Sequence, residues 1–431
     1  MNNNVPENGI RVWLQTTGGI VAVLLLVQFV TGILLAFYYV PSVDHAYTTV
    51  SYIEKVVSSG SWIRSLHHYG SQWLTVFIFI HVIRLFLTED YIANRIQWIV
   101  AIVLLGFVMA AGGTGYSLPW DARAFFSTRV AEGLIGGLPI GGEMARLWLL
   151  GGSDISSLTL SRFFALHVLV IPALIGIAVA WRLFRSRIVE IFGPRHAIAA
   201  GLVFLALAIW TLRHPAPLGP SVAEAGAEYL PRPGAQFLWL YQSLKYMPGG
   251  LGSLTGVVLP GIVLLLLVLL PWLKRGRLIG GALLGLGVVL VVIMTTASYL
   301  SDRRDPQTAR QLARQAAQEQ VWRRTPFTPV TMSLAAAAPT SQSAAGTPPV
   351  LYTKFCVNCH GANGEGGRQG RLTFPPLVDV SAKPRRAVDD IVGLLKDPQA
   401  YGLQPPMRSF SEKLTEDQMK EIAQWIVKLK K

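Results

Sequence analysis

Seven apolar stretches, each close to the length a helix needs to cross a bilayer, constrain this 431-residue chain more than any other feature. A spanning helix takes about 20 residues at a rise of about 1.5 Å each. The stretches run Ile20–Val40, Tyr69–Leu87, Ile99–Leu118, Phe163–Trp181, Ala197–Leu212, Thr255–Leu273 and Leu278–Leu300, the fifth being the shortest. Composition agrees: 52% of residues are hydrophobic and 14% charged, where a soluble domain carries about a quarter charged residues. An ordinary water-soluble enzyme and a disordered chain are both excluded. The expected fold is all-α, a polytopic bundle of about seven membrane helices followed by a small helical domain. The first stretch is not a signal peptide, because it lacks a basic leader and Phe37-Tyr38-Tyr39-Val40 stands where small residues would precede cleavage.

Charge sets the expected orientation. The net charge is +14, from 38 Lys+Arg against 24 Asp+Glu. In a membrane protein that excess marks cytoplasmic loops and anionic headgroups, not nucleic acid. Arg182, Arg185, Arg187 and Arg195 crowd the loop between spans four and five, and Lys274, Arg275 and Arg277 the loop between six and seven. Both loops are therefore expected inside, with the N-terminus inside and the C-terminus outside. The cell membrane of a prokaryote, with the C-terminal domain on the periplasmic face, is the expected location.

Beyond span seven the composition changes. Ser301–Arg324 is rich in Arg, Gln and Ala and reads as an exposed helix, and Thr325–Pro349 has the Pro/Ala/Ser/Thr content of a flexible linker. Domain boundaries are expected at 1–190, 191–300, 301–348 and 349–431. The last segment holds the chain's two cysteines in one pentapeptide, Cys356-Val357-Asn358-Cys359-His360. Two thiols two residues apart suit the two vinyl groups of a haem, and the adjoining imidazole suits its iron. Two cysteines cannot build a disulfide framework, and they argue against a four-cysteine metal site. Pro405-Pro406-Met407 offers a thioether on a rigid loop, and Thr415-Glu416-Asp417-Gln418 reads as a capping box opening a final helix with Ile422, Ile426 and Leu429 on one face. This segment resembles a class I c-type cytochrome with one covalent haem c, which implies His360 and Met407 as axial ligands and leaves Met419 in the core.

His67 and His81 lie 14 residues apart within one apolar stretch. That is nearly four helical turns, so both imidazoles leave the same face, about 21 Å apart along the axis. An ionisable side chain inside a span is costly and points to function, and two ligands at those heights suit two haems stacked across the bilayer. His167, near the outer end of span four, would complete the outer site with His67. His68 reads as a histidine satisfied by a neighbouring carbonyl.

Several motifs are similar to cytochrome b of the cytochrome bc family. Arg64-Ser65-Leu66-His67-His68-Tyr69-Gly70 with His81-Val82-Ile83-Arg84 resembles the family's second helix. Thr114–Asp121 and Thr159–His167 resemble the third and fourth, and Pro217-Leu218-Gly219 and Phe237–Tyr246 resemble its second half. The likeness covers about residues 10–300, as a four-plus-three-helix arrangement fused in one chain. It implies haem b, a quinol or quinone substrate, a Rieske iron–sulfur protein and other subunits, a cytochrome acceptor, and a dimeric or hetero-oligomeric complex. It also implies that Gly18, Gly32 and Gly115 give close approach to haem.

Three positions depart from that pattern. The family's fourth histidine would fall at Trp181 or Arg182, and no histidine occurs between 168 and 195. Arginine has no lone pair for iron. The glycine expected opposite Gly115 is Ala101, beside the same inner site, so His81 loses its usual partner and an absent or unusually ligated inner haem is expected. The family's Pro-Glu-Trp-Tyr motif aligns with Pro233-Gly234-Ala235-Gln236, removing a carboxylate associated with quinol. Glu224 and Glu228 read as solvated loop carboxylates. Two functions follow: a subunit of a quinol:cytochrome c oxidoreductase-type complex, or a degenerate, non-catalytic b–c scaffold or electron-exit subunit paired with an intact cytochrome b.

Overall fold

The computed structural model describes residues 15–184, 193–226, 228–247, 249–327, 349–361, 364–369, 372–377, 387–401, 407, 409–411 and 413–429. For Lys354, Asn358, Cys359 and the two short strands it describes the backbone alone. The chain divides into two compact units, Met1–Val330 and Thr331–Lys431.

Among the described residues the first unit holds seven helices long and apolar enough to span a membrane: α1 (Thr17–Ala36), α2 (Gly60–Leu87), α3 (Arg95–Ser117), α4 (Ser157–Phe184), α5 (Pro194–Arg213), α6 (Leu251–Trp272) and α7 (Gly276–Arg304). Each coincides with one of the apolar stretches. They are apolar all round, as a helix is when lipid covers one side and neighbours the other. Leu24, Ile78 and Leu207 are fully buried between α1, α2 and α5, whereas Leu26, Leu265 and Val292 are more than half exposed on the flanks. α1 packs on α2, α5 on both, and α3 lies between α2 and α4. α6 packs on α3, where Trp98 Nε1–H donates to the Leu267 carbonyl at 2.6 Å.

Two interruptions matter for the site. α4 contains a π-helical turn at Leu166–Val170, a local widening that re-aims side chains and is frequent at functional positions. α7 ends at Asp305, whose carboxylate accepts from the backbone of Gln307 and Thr308 and caps α8 (Pro306–Arg324), with proline in its first turn.

α8 corrects the reading of 301–324 as a freely exposed helix. Glu319 accepts from Leu218 N–H at 3.1 Å, Gln315 and Gln311 bond the backbone of Leu230 and Glu228, and Lys55 donates to Trp322 O at 2.7 Å. Arg323 pairs with Glu54, which also pairs with the buried Arg64. One side of α8 is thus docked on the mouth of the bundle.

The described residues of the second unit form helices and one hairpin of two three-residue strands. Its elements are α9 (Val350–Phe355), α10 (Val357–His360), β1 (Gly367–Gln369), β2 (Leu372–Phe374), α11 (Val388–Lys396) and α12 (Glu416–Lys428). The expected capping box at Thr415 is present, with Thr415 Oγ1 accepting from Gln418 N–H. Tyr352, Ile391, Leu395, Met419, Ile422 and Ile426 form the core.

Candidate functional site

α2 and α4 bring His67 and His167 together with ring centroids 6.0 Å apart and planes at 81°. Each ring is held through Nδ1. His67 Nδ1 lies 2.9 Å from Thr31 Oγ1, and the Thr31 hydrogen is directed to the Val27 carbonyl at 2.6 Å. Oγ1 therefore accepts, and His67 Nδ1 carries the hydrogen. His167 Nδ1 lies 3.0 Å from the Ala111 carbonyl, which can only accept, with Thr114 Oγ1 at 3.5 Å. In both rings the tautomer makes Nε2 the lone-pair nitrogen, as a metal-binding imidazole requires. Two metal–imidazole bonds of about 2.0 Å each plus the half-widths of two rings come to within a few tenths of an ångström of this separation, so the pair fits a haem iron between α2 and α4.

The glycines serve the imidazoles directly. A Cβ on Gly115 would lie 2.5 Å from His167 Cε1, and one on Gly32 would lie 3.1 Å from His67 Cε1. Each follows a threonine, giving Thr31-Gly32 and Thr114-Gly115. The threonine offers a hydroxyl to the ring and the glycine withholds a methyl group from it. Sequence reasoning passed over Thr31, Thr114 and the Ala111 carbonyl. The signal that marks the threonines is the repeated Thr-Gly dipeptide, which occurs again at Thr17-Gly18, 14 residues before Thr31-Gly32.

At that third dipeptide the arrangement is one-sided. His81 Nδ1 lies 2.9 Å from Thr17 Oγ1, and a Cβ on Gly18 would stand 3.5 Å from His81 Cε1, an ordinary contact. The equivalent of Thr114-Gly115 one interval earlier on α3 is Val100-Ala101, both at most 5% exposed and packed into the apolar core. Among the described residues no imidazole faces His81. Trp181 is exposed at the end of α4. His68 is held by Gln72, with Nε2 3.1 Å from the amide nitrogen, rather than by a carbonyl.

Gly234 lies beside α3, against Tyr116. Tyr116 donates to the Arg232 carbonyl at 3.2 Å, and a Cβ on Gly234 would meet Gln236 Oε1 at 3.2 Å and Tyr116 Cε2 at 3.4 Å. Gln236 Oε1 is buried with no hydrogen-bond partner. Its side chain also borders Gly112, one residue from the carbonyl that holds His167. Glu224 and Glu228 are exposed and line a cleft between their loop and α8.

In the second unit His360 Nδ1–H donates to the Pro375 carbonyl at 3.0 Å, again making Nε2 the lone-pair nitrogen. Cys356 is 8% exposed; the side chain of Cys359, and Pro405 and Pro406, lie outside the described residues. Met407 is half-buried against the domain core, and Met419 is 2% exposed inside it. Tyr352 O–H donates to the Gly361 carbonyl at 2.8 Å and stacks on Trp425, closing the turn behind His360. Burial raises the Tyr352 phenol above its ordinary value, so it stays a donor.

Residues 2–188 match the family described as cytochrome b/b6/petB, and residues 349–430 match cytochrome c. Cytochrome b6 of Prochlorococcus marinus strain NATL1A is 36% identical over 178 residues, which are 41% of this chain and 82% of the relative. The chain belongs to the cytochrome b family. Cytochrome b6 of strain MIT 9303 is 35% identical over the same coverage. A chain of a solved hyperthermophilic respiratory Complex III superposes with a TM-score of 0.50 at 20% identity, over 72% of this chain and 89% of that one, a likeness of fold. This cytochrome b is joined to a C-terminal cytochrome c domain, and the two families together make it a multi-pass electron-transfer protein of the cytochrome bc type, with haem b and haem c as the cofactors of those families.

Proposed function

We propose that this chain is the membrane subunit of a quinol oxidoreductase that takes electrons from quinol, menaquinol included, at the outer face and passes them out through its own cytochrome c domain. Residues 1–190 form the haem-binding half of the cytochrome b, 191–300 its second half, 301–348 an outer-face helix and linker, and 349–431 the c domain. The N-terminus is cytoplasmic and the c domain periplasmic. A Rieske iron–sulfur protein and further subunits complete a dimeric or hetero-oligomeric complex, with a soluble or membrane cytochrome as acceptor.

One observation carries the reading: His67 and His167 face each other with both Nδ1 positions spent on internal acceptors. When bound there, a haem supplies one-electron transfer. The chain's own part is to hold the imidazoles, keep their tautomers and exclude lipid from the gap. Cys356, Cys359 and His360 would hold the second haem, with Met407 opposite. Gln236 Oε1, buried and unpartnered next to Tyr116 and Phe237, supports a quinol position there, because a quinol hydroxyl can donate to it where a carboxylate is missing.

The one-sided surroundings of His81 favour a second reading, a degenerate subunit that works beside an intact cytochrome b. A haemochrome count on the purified complex separates the two. One b and one c haem per chain with quinol-dependent reduction of the c haem supports the proposal. One c haem without b haem, or reduction that persists when the outer pocket is blocked, removes it.

A further inference from the structure

A second polar site lies at the Arg304 end of α7, where that helix packs against the short helix Leu238–Leu244. Gln242 is 3% exposed, and its amide Nε2 donates to Tyr246 Oη at 3.0 Å while its Oε1 has no partner. Ser298, 1% exposed on α7, likewise keeps an unpartnered Oγ. Buried polar atoms are almost always hydrogen-bonded, so two orphans on facing helices call for an occupant. Gln242 and Tyr246 line a groove of about 520 Å³ with Leu300, Arg304 and Asp305. The Asp305 carboxylate is spent on capping α8, with Thr308 Oγ1 donating to it at 2.6 Å. Arg304, exposed at the rim, forms no ion pair among the described residues.

The groove therefore offers a buried acceptor and an uncommitted cation. Below it α7 presents apolar surface, with Leu290, Val292, Ile293 and Leu300 each 40% exposed or more. A small phosphate metabolite would use the polar end and leave that surface bare. An amphiphile uses both. We propose that the groove binds a glycerophospholipid whose headgroup carries a hydrogen-bond donor beside its phosphate. The donor meets Gln242 Oε1, the phosphate meets the Arg304 guanidinium, and the acyl chains run along α7. Phosphatidylethanolamine has this chemistry, with an ammonium donor beside its phosphate. Phosphatidylcholine has the phosphate and no donor.

The test is native mass spectrometry of the whole detergent-solubilised complex, delipidated and titrated with each lipid. Wild type should bind phosphatidylethanolamine over phosphatidylcholine, both zwitterionic, by about five- to tenfold, the worth of one hydrogen bond to a buried acceptor. Gln242→Met, which keeps the volume, should erase that preference. Arg304→Gln, at an exposed position that leaves folding untouched, should weaken both lipids. Equal binding of the two lipids by wild type would overturn the proposal, leaving water as the partner of Gln242. So would an undiminished preference in Gln242→Met, or displacement of the lipid by millimolar inorganic phosphate, which would make the ligand the free anion. The haem content of each variant reports that the bundle is intact.

Discussion

At Gly115 a methyl group would sit 2.5 Å from His167 Cε1, at Gly32 3.1 Å from His67 Cε1, and at Gly18 3.5 Å from His81 Cε1. The longest and the shortest of these distances give opposite expectations for one substitution. Gly115→Ala must turn the His167 ring off the Ala111 carbonyl, an overpacking cost of about 1–3 kcal/mol, and should remove or strongly shift the b-haem absorbance. Gly18→Ala meets only an ordinary contact and should leave the optical spectrum unchanged. Thr31→Val tests the other half of the dipeptide: it strands a buried Nδ1–H at a cost of about 1–3 kcal/mol and should weaken haem retention by about 10- to 100-fold, read as haem lost during dialysis. His67 and His81 were legible because their spacing puts them on one helical face, and Gly18, Gly32 and Gly115 because the surrounding motifs resemble those of the cytochrome bc family. The threonines were not, since a hydroxyl inside an apolar helix usually bonds back to its own turn, as Thr75 does to Ser71. Only the positions of the neighbouring helices show that Thr31 does both.

Among the elements, the seven spans were fully legible, because their apolar lengths answer to the bilayer rather than to packing. The docking of α8 was not. Its Arg/Gln/Ala composition resembles that of a solvated helix, and its partners lie far away in the chain, on the short helix Ala46–Lys55 and on the 216–230 loop. The attachment depends on Glu54, whose side chain is 2% exposed between Arg64 and Arg323. Burial, and then the charge of Arg323, lower the Lys55 ammonium below its ordinary value, and that ammonium donates to the Trp322 carbonyl of α8 at 2.7 Å. Removing Glu54 leaves two guanidinium groups without their shared carboxylate, a loss of about 3–5 kcal/mol for a buried network. Glu54→Ala should release α8, seen as faster amide exchange and trypsin cleavage within Pro306–Arg324, while the b-haem spectrum stays intact. Loss of the spectrum with α8 still protected would place the effect of Glu54 in α2 instead.

On the scale of the whole molecule, the two faces of the bundle are unequal. The His67 end has two imidazoles, two Thr-Gly dipeptides and matched tautomers, whereas the His81 end has one imidazole, one dipeptide and a filled apolar wall at Val100-Ala101. That inequality was already visible in the sequence as a missing histidine and a missing glycine, and the structure adds the missing threonine. It bears on how electrons leave. A two-haem path across the membrane needs ligands at both ends, and among the described residues two facing imidazoles occur at the His67 end alone, while the chain supplies a covalent-haem motif of its own in the second unit. Electrons entering at the outer site would then have that exit and no inner one. His67→Ala or His167→Ala should abolish the b-haem spectrum and, with it, quinol-dependent reduction of the c haem. His81→Ala should leave both essentially unchanged, since no imidazole faces this buried ring among the described residues and the substitution removes packing and one Thr17 hydrogen bond, not a facing ligand pair. Met407→Ala should remove the weak near-infrared sulfur–iron band of the c domain without touching the b spectrum, and persistence of that band would transfer the ligand role to Met419. A large spectral loss in His81→Ala would show instead that the inner half-site carries a haem on a single imidazole, and the path would run across the membrane after all.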